Sequence, residues 1–247
     1  RVQGFLGSGP TEQLYLMKSY DNVDKGANLT VTQLMSFIHK RGAGLAPTVN
    51  FEIDGGSENQ NKTLIAFYAH LVAMKSCDSI TAWRLPIHHT HNRLDRKFGQ
   101  ASQETRGRTG GRARVGCGAL SQQEWNRKVK SAMNNCDVHV AETFAVYDAV
   151  SYYKPHVDPK LSGYGPGTPI RVIHIFRGKP TAKFPNGEPR LRYKLAAQYD
   201  TWYPTNCPDG VPVLLSMPPA SPPKLVPWTL GKEGTCWEKF DDTKANI

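Results

Sequence analysis

The chain of 247 residues lacks most of the features that commit a sequence to a stapled, zinc-held or membrane-bound class. Its five cysteines, Cys77, Cys117, Cys136, Cys207 and Cys236, are scattered, and none stands in a Cys-x-x-Cys pair. A cysteine-built zinc site and a disulfide framework are both disfavoured, and a reducing compartment fits best. No apolar run approaches the roughly 18 residues that a membrane-spanning helix needs. No strongly amphipathic basic helix stands out either, which counts against a membrane surface as the partner. No internal repeat is evident. There is no signal-peptide pattern and no initiating Met, and Arg1 opens directly into a strand-like segment, so the expectation is a fragment or a processed piece. The triplets Asn28-Leu-Thr and Asn61-Lys-Thr match a glycosylation pattern that is too common by chance to carry an argument.

Acidic residues are also scarce: 21 Asp and Glu face 31 Lys and Arg, for a net charge of +10. Such a balance favours an anionic partner, and nucleic acid is the commonest one. Hydrophobic content of 39% with 21% charged residues reads as globular. The length suits one large domain, or one with a smaller appendage, and can bury a real core.

RVQGFL and QLYLMKS read as two strands joined by a turn at GSGP, and NLTVTQLMSFIHKRG as a helix with Val31, Leu34, Met35 and Ile38 on one face. In TVNFEID, Val49, Phe51 and Ile53 alternate with polar residues, which predicts a strand with one buried face ending at Asp54. Residues 62–76 are apolar nearly all round and predict a buried helix; SITAWRLP, 79–86, predicts the next strand. Strands alternating with helices give an α/β domain with a mixed sheet. A helix starting near Thr90 has Leu94, Phe98 and Ala101 as its buried stripe, with His91 and Asp95 flanking it one turn apart. From Glu104 to Gly118 no apolar period survives and Arg106, Arg108, Arg112 and Arg114 interleave with glycine, so a flexible basic loop is expected. Ser121 and Glu124 make a capping-box signature, with Leu120 and Trp125 as a possible staple, for a helix running to about Asn134. A strand and a short helix before Pro155 follow; PIRVIHIFR and PRLRYKLAAQ then read as strands of a small β-rich unit. The proline-rich tail from Pro204 to Pro227 is expected as an extended wrap. Trp83, Trp125 and Trp202 read as core residues rather than stacking platforms.

Asp54 and the cluster His88, His89, His91 each lie just past the C-terminal end of a predicted strand, the edge where open α/β sheets collect their sites. Asp54, Glu58, His89, His91 and Asp95 form the candidate group. Carboxylate oxygens favour Mg²⁺ or Mn²⁺, and imidazole admits Zn²⁺, Fe²⁺ or Mn²⁺. Such ions activate water or a hydroxyl and stabilise the leaving oxygen in nucleic-acid hydrolysis and strand transfer. The plainer reading has Asp54 capping a turn, His91 satisfied at a helix start and Asp95 paired with Arg93 or Arg96. Asn59 and Asn61 are candidate substrate contacts beside Glu58, although Asn61 before a helix is first of all an N-cap. The Arg/Gly loop suits phosphate contact with little sequence preference.

With these residues in view, the chain resembles a domain of unknown function found in large, transposon-like eukaryotic proteins. That family carries a pattern close to L-D-N-C-G-x-E-N-K-N-R, then an apolar helix, then G-H-T-H-E-D-I-D. The matches here are Ile53-Asp54, Glu58, Asn59, Asn61 and Lys62, then His89, Thr90, His91 and Asp95. Weaker similarity extends to GANLTVTQLM upstream and, downstream, to Tyr153-Lys154-Pro155, Lys160-Leu161-Ser162-Gly163 and RLRYKL followed by Trp202. The family is similar in layout to integrases and transposases with the ribonuclease H-like fold. The resemblance implies an acidic metal-binding triad and phosphoryl transfer. Two departures stand out: Asn92 and Arg93 replace the Glu-Asp pair, and the Asp-Gly-x-Asp strand of the family would lie upstream of Arg1.

The expectation is therefore a ribonuclease H-like domain over 1–155, its first strand upstream, with the Arg/Gly loop 104–118, followed by a β-rich, proline-rich extension over 156–247. Asp54, His91 and Asp95 are the catalytic candidates, and His89 joins them as a metal ligand. Glu58, Asn59, Asn61, Arg106, Arg108, Arg112 and Arg114 are the substrate-binding candidates. Mg²⁺ or Mn²⁺ is the expected cofactor, nucleic acid (DNA first) the expected partner, and the nucleus the favoured place within the cell. Two rivals stay open. One is a non-catalytic nucleic-acid-binding or scaffolding copy of the same fold. The other is a metal-dependent hydrolase or oxygenase using His89, His91 and a carboxylate as a facial set.

Overall fold

The computed structural model describes residues 2–7, 12–19, 26–41, 44–53, 59, 61–84, 93–106, 108–109, 112–113, 121–133, 136–143, 145–159, 161 and 169–226. In chain order the elements are β1 (Val2–Gly7), β2 (Glu12–Ser19), α1 (Ala27–Arg41), β3 (Thr48–Ile53), α2 (Lys62–Ala73), β4 (Ser79–Arg84), α3 (Arg93–Arg106), β5 (Arg108–Thr109), β6 (Arg112–Ala113) and α4 (Gln122–Ala132). They continue with β7 (Cys136–Thr143), β8 (Val146–Tyr147), α5 (Ala149–Tyr153), β9 (Val172–Arg177), β10 (Pro189–Lys194), β11 (Val211–Pro212) and β12 (Leu225–Val226). The chain forms two compact units, one of Arg1–Asp21 with Thr90–Phe144, the other of Asn22–His89 with Ala145–Ile247.

In the first unit β1 and β2 form the expected antiparallel hairpin, and β2 pairs in parallel with β7, from Glu12↔Cys136 to Ser19↔Thr143. Alternation puts Leu14 and Leu16 on one face of β2. They meet Ala101 of α3 and Val129 and Met133 from α4 and its end, with Leu94, Phe98, Trp125, Val138 and Val140 packed around them. The predicted stripe of α3 is thus the face that seals this core. Gly4 lets α3 come close: a Cβ there would stand 2.8 Å from Phe98 Cζ and 2.9 Å from Leu94 Cδ1. Ser121 caps α4, its side chain accepting the Glu124 N–H at 3.1 Å, as the capping signature predicts.

In the second unit β3 and β4 are parallel neighbours, β4 pairs antiparallel with β9, β9 with β10, and β10 with β11. The helix α2 is buried on most sides, through Leu64, Ile65, Phe67, Tyr68 and Val72 among others. It covers the face that carries Phe51, whose ring stacks on Tyr68 at 5.3 Å. On α1, Thr32 donates to the Asn28 carbonyl at 2.7 Å and accepts the Tyr147 N–H at 2.9 Å, tying β8 to the helix.

Four expectations change. The single mixed sheet is replaced by sheets of three, five, two and two strands among the described residues, because the hairpin takes β7 as its neighbour and not β3 or β4. The strands expected in a separate C-terminal unit, β9 and β10, instead complete the sheet of β3 and β4, so the boundary expected at 155/156 falls inside the second unit. The basic segment expected as loop from Glu104 is helical through Arg106, and Arg108–Thr109 pairs with Arg112–Ala113 as a short ribbon. Trp83, expected in the core, is 38% exposed, because the pleat of β4 points it away from Ala82 and Arg84. The proline-rich tail turns at 205–206 and 208–209, supplies β11 and β12, and buries Val213 and Leu214.

Candidate functional site

The strands β3 and β4 stay in register to their last residues, Ile53 opposite Arg84. The chain therefore leaves both strands at one edge of the sheet, immediately before the stretches that begin at Asp54 and at Leu85. That is the edge at which ligand sites form in parallel sheets. Arg84 marks it with a buried side chain, 4% exposed. Burial lowers its pKa, Tyr68 opposes the effect and Arg171 adds to it. Burial also pushes the Tyr68 phenol upward.

Asp54, Glu58, His89, His91 and Arg114 lie outside the described residues. Asp95 occupies the first turn of α3, in the first unit, where the positive end of the helix dipole suits a carboxylate. Asn59 and Asn61 belong to the second unit, Asn59 half-buried. The Asn61 side-chain oxygen accepts the Leu64 N–H at 2.8 Å, so this residue caps α2, and its neighbour Lys62 donates to the Pro159 carbonyl at 3.2 Å. Arg106 ends α3, Arg108 lies in β5 and Arg112 in β6, opposite Thr109. Among the described residues no group of three or more His, Cys, Asp and Glu could hold a metal ion. Of the candidate ligands only Asp95 is described.

A second cluster escaped the sequence reading. On the face of the five-stranded sheet opposite α2, cross-strand rows run Trp83–Val172–Lys194, Thr81–His174–Arg192 and Ser79–Phe176–Arg190. The Arg192 guanidinium lies 4.8 Å from the Phe176 ring centre and 5.1 Å from that of Trp202. Lys194 Nζ sits 4.7 Å from the Trp202 ring centre. The His174 ring stacks on Phe176 at 5.4 Å, tilts against Trp202 at 5.6 Å, and its Nδ1 hydrogen-bonds the Thr81 hydroxyl at 2.9 Å. Burial first, and the Arg192 charge second, lower the His174 pKa to about 4. Arg190 is tied down by Glu188 and by the Asp209 and Gly210 carbonyls. A signal was present: in PRLRYK every second residue is a cation, the period of a strand with one basic face.

The described residues define a mixed α/β protein, its several sheets flanked by helices. The chain belongs to the family described as Domain of unknown function (DUF7869), whose model matches residues 1–162. No curated protein and no solved structure matches it. Among the described residues no helix is long and apolar enough to cross a membrane.

Proposed function

We propose that the chain acts on nucleic acid by divalent-metal-dependent phosphoryl transfer, on a layout similar to ribonuclease H-like transposase and integrase cores. Asp54, with His89 as a supporting ligand, is the carboxylate ligand in the second unit, and Asp95, with His91 as a ligand or general base, the one in the first. Mg²⁺ or Mn²⁺ would activate the attacking oxygen and stabilise the leaving one. The observation that supports this reading is the common edge at Ile53 and Arg84, from which the two motif stretches depart. The net charge of +10 supports an anionic substrate, and nucleic acid in the nucleus meets that need.

The test is nicking of circular DNA, and of a labelled RNA, with Mg²⁺ or Mn²⁺ against EDTA. Asp54→Asn should cut the rate by about 100-fold or more, the scale of losing one charge-stabilising group. Nicking untouched by that change would refute the assignment. Binding without nicking in either metal would favour the non-catalytic reading, which Asn92 and Arg93, standing where the family pattern has Glu-Asp, already support.

A further inference from the structure

We infer that the open face of the second unit's five-stranded sheet is a stacking platform for single-stranded nucleic acid, with Trp83 and Trp202 taking bases and Arg192 and Lys194 the phosphates. The inference does not rest on the metal reading: none of the residues it uses is a metal candidate, and all but Glu52 and Trp83 lie outside the stretch 1–162 that the family model matches.

The face combines aromatic rings with cations. Trp83 is 38% exposed on β4, next to the edge strand β3, where a buried role would have turned it toward α2. Trp202 is half-buried beside the sheet and is already flanked by the cations of Arg192 and Lys194. Aromatic faces bind any unpaired base, and cations alongside them track the backbone, which is how sequence-tolerant single-strand binders are built. The alignment is set before a ligand arrives, because the Arg192 guanidinium already lies over the Phe176 and Trp202 rings.

Ring access selects the single strand: a paired duplex hides the base faces that the rings need. Charge also sets the path. Glu52 on β3 is exposed and is the register partner of Trp83, so an anion is repelled at that edge and runs instead along β9 and β10. Arg190, neutralised by Glu188, anchors the β10–β11 corner rather than the ligand.

The experiment is anisotropy titration of the full chain against labelled T-rich single-stranded DNA, U-rich RNA of the same length and a DNA duplex, in EDTA so that no metal-dependent reaction runs. Tighter binding of either single strand than of duplex, with quenching of tryptophan fluorescence, is expected; the better of the two strands names the natural one. Trp83→Ala should weaken single-strand binding by about 5-fold to 100-fold, the range found for one stacking ring, while Trp83→Phe keeps most of it. Lys194→Gln should lower the salt slope by about one phosphate contact. Because Trp83 is exposed, its variants should fold, and circular dichroism checks that they do. Duplex or heparin bound as tightly as the single strands, or Trp83→Ala without effect, would overturn the platform. Neither result depends on whether the chain cleaves.

Discussion

The two faces of the second unit's sheet are cut from the same strands and differ in what they do. Beneath α2 stand Val49, Phe51, Ile80, Ala82, Ile173, Ile175 and Leu191; Ile80, Ala82, Ile173, Ile175 and Leu191 are each no more than 2% exposed. On the other side stand Trp83, Thr81, His174, Phe176, Arg192 and Lys194, held to one another by ring stacking, a hydroxyl–imidazole hydrogen bond and cations over rings. The period of two along each strand makes this division possible. The covered face derives its stability from removing apolar area from water. The other face orders polar and aromatic groups around the buried Val172 and Thr81 while leaving Trp83 in contact with solvent, which is the state a binding surface needs and a core does not.

Substitutions should read that contrast directly. Ile175→Ala, on the covered face, should cost about 2–5 kcal/mol, the usual price of truncating a fully buried branched side chain. Trp83→Ala, on the open face, should stay within about 1 kcal/mol, as surface changes do. Urea unfolding of both variants checks the pair, and equal losses would erase the distinction between the faces. The cap of the covering helix comes next: Asn61→Ala should cost about 1 kcal/mol and Asn61→Ser should restore most of it. Normal stability in Asn61→Ala would return Asn61 to the substrate-contact role.

A pH dependence is expected of both faces. Burial holds His174 of the open face and His70 of α2 each at about 4, below the ordinary 6.5. The unfolded chain then takes up protons at these positions before the folded one does. Their contribution is therefore fully present above pH 6.5, falls as pH drops from 6.5 toward 4, and falls no further below that. Urea midpoints should drop between pH 7 and pH 5, and His174→Gln with His70→Gln should flatten that slope. A slope unchanged in the double variant would assign it to other groups.

Much of the local structure was legible in the sequence. The alternation of Val49, Phe51 and Ile53, the apolar helix after Asn61, the Leu94, Phe98, Ala101 stripe and the Ser121 cap all depend on near neighbours, and all hold. Strand partners do not depend on near neighbours. Nothing within QLYLMKS says that Leu16 will lie opposite Val140, and nothing within RVIHIF says that Ile175 will lie opposite Ile80. The same holds for Trp83. Its apolar surroundings in SITAWRLP suggest burial, but the side it occupies follows from which face α2 covers. Of the motif that suggested the chemistry, Ile53, Asn59, Asn61, Lys62 and Asp95 are described. Asn61 turns out to spend its side chain on a helix end.

Titrating the full chain with Mn²⁺ and following the electron paramagnetic resonance of the free ion tests the metal assignment most directly. Removal of Mn²⁺ signal by the native chain, lost in Asp54→Asn and in His91→Ala while Asn61→Ser retains it, is the predicted result. Equal uptake by the native chain and both ligand variants, or no uptake by the native chain, would contradict the assignment of Asp54 and His91 as metal ligands.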